Sequence, residues 1–331
     1  MNRTYFILKK AFVYICALFV IITINFFLIR FMPGDPLVHY LGEREYYELM
    51  QNEPEELEII RAKYGLEKSA VEQYVEYLKT IVRFDFGYSY LNKQPILEIV
   101  GYRLYWTLLL SVPAVILSAI FGALLGIQAG YRRGHLVDAL LTPIMIMLNS
   151  TPTYCLAILL VVFIANFPGL LPLSGMTSGG LGGMAKVLDI IRHALLPCLT
   201  IVLFRTANNY LFIRQTIENI KQENYIITAT TKGLRERTII IRHVLKNALL
   251  PYITMICMQF GYVIAGTMMI EVMFSWKGMG ALIYNAVLSK DYPVLQVALL
   301  VVAASVIFFN IICDIACVII DPRLSEGNVH E

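Results

Sequence analysis

Hydrophobic and polar positions fall in long blocks along this chain. Six apolar segments, roughly residues 11–31, 105–130, 137–165, 194–214, 248–270 and 294–320, are each long enough to cross a hydrocarbon core, which takes about 20 residues of helix. Period-two alternation is absent, which disfavours a membrane β-barrel. The expected fold is all-α: a polytopic membrane protein of six transmembrane helices with a helical extracytoplasmic cap after the first span. That cap occupies 32–104, too long for a simple connector. There Leu57, Ile60 and Tyr64, then Val71, Tyr74, Leu78 and Ile81, recur at helical spacing on either side of Gly65, predicting two short helices. The first segment follows Arg3, Lys9 and Lys10, as in a signal peptide. Its apolar stretch from Ala11 to Ile29 is longer than a signal core, and no small-x-small cleavage site follows, so it reads as a retained span.

Composition agrees. Of 331 residues, 58% are hydrophobic and only 15% charged, against about 25% charged in a soluble domain. All six cysteines lie in apolar segments, the pattern of small buried residues rather than of a disulfide framework or zinc site. Basic residues set the expected orientation. They collect in the N-terminal tail, in YRRGH (131–135) and in 214–247, which holds seven basic residues against three acids. Residues 32–103 hold thirteen acids and eight bases. Six spans put the basic segments and both termini in the cytoplasm. The chain divides into a tail and first span (1–31), the cap loop (32–104), a five-helix core (105–320) with its cytoplasmic loop (215–247), and a cytoplasmic tail (321–331).

Several chemistries have no motif. The sequence has no GxxxxGK[ST] phosphate loop, HExxH, CxxC or GxSxG, so no catalytic or metal-ligating set is assigned, and nothing points to nucleic acid. The five histidines are scattered. A transport subunit, an ion-coupled secondary transporter and a ligand-binding sensor all stay open. The second needs intramembrane acids and offers only Asp314.

The most informative loop reads ENYIITATTKGLRERTIIIRHVLKNALLP (223–251). Charge and periodicity describe a helix, a break at Gly233, and a second helix running to Pro251. Ala229 and Gly233, four apart, predict a slim face. The loop resembles the EAA loop of importer permeases of the ATP-binding-cassette class, and more narrowly the dipeptide/oligopeptide/nickel permease family. That family's D-Y-x-x-T-A-x-A-K-G-L and R-H-x-x-x-N-A-x-x-P are matched by Tyr225, Thr228, Ala229, Lys232, Gly233, Leu234, Arg242, His243, Asn247, Ala248 and Pro251; Thr230 and Thr231 stand where arginine and alanine are usual. MPGDP (32–36), YGL (64–66) with Gln73 and Tyr74, FDFGYS (84–89), LLPLSG (170–175), EVMFSWKGMG (271–280), KDYP (290–293) and DPR (321–323) match in the same order, so the resemblance covers nearly the whole chain.

The resemblance implies a non-catalytic subunit in the cell membrane. Its partners would be a second, similar permease, two cytoplasmic ATPases that bind the ATP and magnesium, and an extracytoplasmic substrate-binding protein. This chain itself would hold no cofactor. Tyr225, Thr228, Ala229, Thr230, Thr231, Lys232, Gly233, Leu234 and Arg235 would form the helix through which ATP-driven closure reaches the spans. The implied cargo is a di- or oligopeptide, with nickel or a metal chelate as the alternative.

Some residues depart from that pattern or stand out within it. Lys277 replaces the proline usual in S-W-P-G-x-G. Arg205, Asn208 and Asn209 lie in the fourth span at spacings that allow a shared face. A charge at depth faces protein or water. Two readings stand side by side: a pathway face meeting a peptide's carboxylate or backbone, or a polar contact within or between permeases. Asn310 and Asp314 read as contacts between helices. Glu271, at the outer end of the fifth span, reads as a gate element or as packing.

Overall fold

The computed structural model describes residues 3–31, 36–63 and 67–320. The expectations placed on 32–35 of MPGDP, on 64–66 of YGL and on the tail 321–331 with DPR lie outside the described residues. In chain order the helices are α1 (Arg3–Arg30), α2 (Pro36–Leu41), α3 (Glu43–Asn52), α4 (Pro54–Lys63), α5 (Ala70–Arg83), α6 (Ile96–Tyr131), α7 (Leu136–Ser150), α8 (Thr153–Ala165), α9 (Gly183–Lys221), α10 (Asn224–Thr231), α11 (Glu236–Ile239), α12 (Lys246–Gly261), α13 (Met268–Met273), α14 (Met279–Leu288) and α15 (Tyr292–Ile320). The all-α polytopic fold is observed.

Among the described residues four helices, α1, α6, α9 and α15, are singly long and apolar enough to cross a membrane; two bent pairs raise the number to six. Counting each bent pair as one span gives the six expected, two of them broken. The segment 137–165 is α7 and α8, bent by 109°. Pro152 disfavours helical backbone at the residue before it, and Thr151 is accordingly extended at φ −86°, ψ 126°. The segment 248–270 is also broken: Ile240–Gly261 and Ala265–Met273 meet at 76°, with the weak helix formers Gly261 and Gly266 flanking the break. Two spans are longer than hydropathy suggests. α6 starts at Ile96, and α9 runs on to Lys221, so Arg214 and Lys221 belong to a helix and not to a loop.

The cap holds four short helices among the described residues: α4 and α5 are the two expected from the helical spacing, and α2 and α3 precede them. Helix α5 starts at a capping box, in which Ser69 and Glu72 satisfy each other's backbone N–H; the Ser69 backbone N–H holds the Glu72 carboxyl below the usual carboxylate range. Tyr74 and Tyr77 pack their rings on Phe26 of α1, and the Tyr74 and Thr23 hydroxyls are 2.7 Å apart. Val71, expected on the packed face, is exposed.

The core is the contact between α6 and α9, which run parallel. Ala114, Ser118, Gly122, Gly126 and Gly130 repeat every fourth residue and are buried. A Cβ on Gly122 would strike Asn209, one on Gly126 would strike Ile213, and one on Gly130 would crowd the backbone of Arg214. Small residues at this spacing let two backbones approach closely, the main source of helix association where surrounding lipid is as apolar as the side chains. Near the far ends, Arg214 grips Asp138 with two bonds of 2.6 and 3.0 Å, and Asp138 also accepts from the Gly134 N–H and Thr142 Oγ1.

Helix α15 runs antiparallel to both α1 and α12. Asn25 donates to the Gln296 carbonyl at 2.9 Å, while Tyr14 and Lys10 both reach the Asp314 carboxylate at 2.5 Å. Asn310 lies against Gly261, and Thr254 meets Cys317 at 3.3 Å. Asn310 and Asp314 thus make the interhelical contacts expected of them. The start of α1 and the end of α15 lie at the same end of the bundle as the start of α12.

Candidate coupling segment and passage

At that end, α10 rests on the bundle through Ile226 and Ala229, which pack with Ile213 and Ile217 of α9 and with Val244, Ala248 and Tyr252. The helix stops by a sequence-coded device. Gly233 adopts φ +71°, its N–H bonds to the Thr230 carbonyl at 2.9 Å, and the Leu234 N–H bonds to the Ala229 carbonyl at 3.3 Å. This pair of bonds is a Schellman motif, which needs a left-handed residue just past the helix end. Tyr225 accepts a 2.9 Å bond from Asn247 Nδ2 and so ties α10 to α12. A π-helical turn, Ile240–Leu245, leads into α12.

Tyr225, Thr228, Thr230, Thr231, Lys232, Gly233, Leu234 and Arg235 are exposed. The slim face expected of Ala229 and Gly233 does not form. Ala229 is turned into the core at 6% exposure, and Gly233 stands beyond the helix end with open space around it; what the glycine supplies is its backbone angle. The threonine hydroxyls are spent locally: Thr228, Thr230 and Thr231 each donate to the carbonyl four residues back at 2.8–2.9 Å.

Mid-span, the three candidate pathway residues separate. Asn209 is fully buried; its side chain donates to Ser118 Oγ at 3.3 Å and accepts from Gln259 Nε2 at 2.6 Å. Arg205, half-buried, reaches Gln259 Oε1 at 3.4 Å. Asn208 is exposed. The three therefore do not form one hydrogen-bonded cluster. Arg205 and Asn209 join through Gln259, a residue that sequence reading missed, while Asn208 points out of the chain. Gln259, two residues before the end of α12, carried a signal in being an amide inside an apolar helix.

At the opposite end a knot holds the starts of α6 and α9. Glu271 is fully buried and accepts from Thr107 Oγ1 at 2.7 Å, Thr267 Oγ1 at 3.0 Å and the Ala281 N–H at 3.1 Å. Thr107 in turn accepts from the Met279 N–H at 2.7 Å. Motifs distant in sequence pair here. Gly175 of LLPLSG donates to the Phe274 carbonyl at 2.8 Å, Trp276 donates to the Trp106 carbonyl at 3.0 Å, and Ser89 of FDFGYS bonds Asp291 of KDYP at 2.5 Å. The Lys277 backbone N–H points at Met176 sulfur, 3.2 Å away, a contact that proline in its place would lack. Glu271 is thus a joint of the loop that follows the broken span.

The family model described as "Binding-protein-dependent transport system inner membrane component" matches residues 114–326, and its N-terminal companion matches 3–111. Relatives include the glutathione transport system permease protein GsiC of Escherichia coli K12 and that of Shigella dysenteriae serotype 1. Each is 28% identical over 319 residues, which cover 96% of this chain and 98% of theirs. The matched regions include the broken spans, the α10 segment and the knot. The chain belongs to the binding-protein-dependent transport system inner membrane components, the non-catalytic permease subunits of ATP-binding-cassette importers.

Proposed function

We propose that this permease passes short peptides across the cell membrane by alternating access, and that residues 225–235 receive the driving movement from an ATPase. The complex would contain a second permease, two ATPases carrying ATP and magnesium, and a binding protein on the far side. The α10 end, with both termini, would face the cytoplasm. The mount of α10 carries the reading. A short helix with exposed Thr228, Thr230 and Thr231, followed by exposed Lys232 and Arg235, is pinned by Ile226, Ala229 and Tyr225 onto α9 and α12. Force applied to it reaches two membrane helices without passing through a slack loop. Glutathione, named for the relatives, is itself a tripeptide, which favours peptide cargo.

A photo-crosslinking residue at Thr231 in the assembled complex should label an ATPase subunit in a nucleotide-dependent way. The same probe at exposed Leu124, on the flank of α6, should not. Absence of ATPase labelling from Thr231 would remove the coupling assignment, and uptake of nickel in preference to peptides would replace the cargo.

A further inference from the structure

We propose that Arg205 is the station where the free carboxylate of a peptide substrate is held during passage; this rests on the peptide reading above. Three observations converge on it. The first is its lack of a counter-ion. Arg205 sits near the middle of the 39-residue α9, yet among the described residues no carboxylate lies within salt-bridge reach, and its one side-chain bond is the long 3.4 Å contact to Gln259. Arg214, on the same helix, has a two-bond carboxylate partner. A guanidinium inside a membrane is costly unless something anionic or aqueous meets it, and its planar fork suits a carboxylate.

The second is its position at the break between α12 and α13. A Cβ on Gly266 would stand 3.3 Å from the Arg205 terminal nitrogen, so this glycine clears the space that the guanidinium uses. Irregular backbone at membrane depth is tolerated where it lines a cavity or is covered by protein, and in secondary transporters interrupted helices form the substrate site. The third is the neighbouring surface. Asn208, three residues on, is exposed in mid-span, a placement that suits a polar passage or the partner permease rather than lipid. On its inner side Arg205 is steadied by the Gln259–Asn209–Ser118 relay, which fixes the guanidinium without neutralising it. The resulting site takes an anionic group and repels a bare metal cation.

The test uses the complete importer in proteoliposomes, with trialanine and trialanine C-terminal amide as the probe pair. Uptake by Arg205→Gln and Arg205→Lys is expressed as a ratio to the unsubstituted complex for each peptide, which cancels the binding protein's own preference. Arg205→Gln should lower trialanine uptake at least tenfold and change amide uptake less than twofold, with Arg205→Lys losing less trialanine uptake than Arg205→Gln. A second measurement needs no binding protein: millimolar trialanine should raise the Tm of the detergent-purified complex, the amide should not, and Arg205→Gln should abolish the rise. Equal losses for both peptides, as an ion pair with the second permease would give, or an unchanged Tm response in Arg205→Gln, overturns the proposal while leaving the peptide reading intact. Failure of the unsubstituted complex to transport or respond to either peptide overturns both.

Discussion

Glycine positions carry the sharpest constraints at the scale of single residues. Gly278 lies directly over the Glu271 carboxylate, where a methyl group has no room. Gly278→Ala must therefore displace a fully buried acid that accepts three hydrogen bonds. The expected cost is about 1–3 kcal/mol, as for overpacking elsewhere, read as a lower Tm of the purified complex; an unchanged Tm would show that the knot relaxes freely. Little of this was legible in sequence. Glu271 stands in a recognisable motif, but its burial depends on Thr107, 164 positions away, and hydropathy assigns no partner to a lone acid. Arg205 was visible as a charge in an oily segment. What could not be read was which neighbour it faces, because spacings of three and four both permit a shared face and only packing separated Asn208 from Asn209.

Helices obey the same division between local and distant information. Span locations follow from hydropathy, and the α10 stop follows from Lys232-Gly233-Leu234, since glycine takes the left-handed angle without the Cβ penalty. The small-residue ladder of α6 was equally present in GALLGIQAG (122–130), a spacing that signals close helix contact, although its partner α9 was not. Gly126→Leu should drive α6 from α9, because even a Cβ there meets Ile213 and the backbone of Tyr210. We expect loss of assembled complex in the membrane fraction; normal assembly and uptake would contradict the packing assigned to this pair. The broken spans were hidden for a physical reason. Hydropathy sums apolarity over a window and is blind to direction, so Thr151-Pro152 and Gly261–Gly266 pass as interior residues of one helix.

Taken whole, the molecule mounts α10, the proposed docking helix, and the polar relay on the same two helices. Ile226 and Ala229 bear on α9 and α12, and Arg205, Asn209 and Gln259 project from those helices toward one another. A displacement of α10 therefore has a short packed route to the Arg205–Gln259–Asn209 relay, while the knot around Glu271 holds the opposite ends together. This arrangement makes the end of α10 the point at which drive and flux can be separated. Gly233→Val forces a β-branched residue into φ +71°, a conformation such side chains strongly disfavour, and disrupts the Schellman bonds without touching the membrane core, since nothing lies within 4 Å of its Cβ position. The decisive measurement is peptide uptake per ATP hydrolysed, taken together in proteoliposomes holding the complete importer. The account predicts that Gly233→Val lowers that ratio at least tenfold in a complex that still assembles; an unchanged ratio would contradict it.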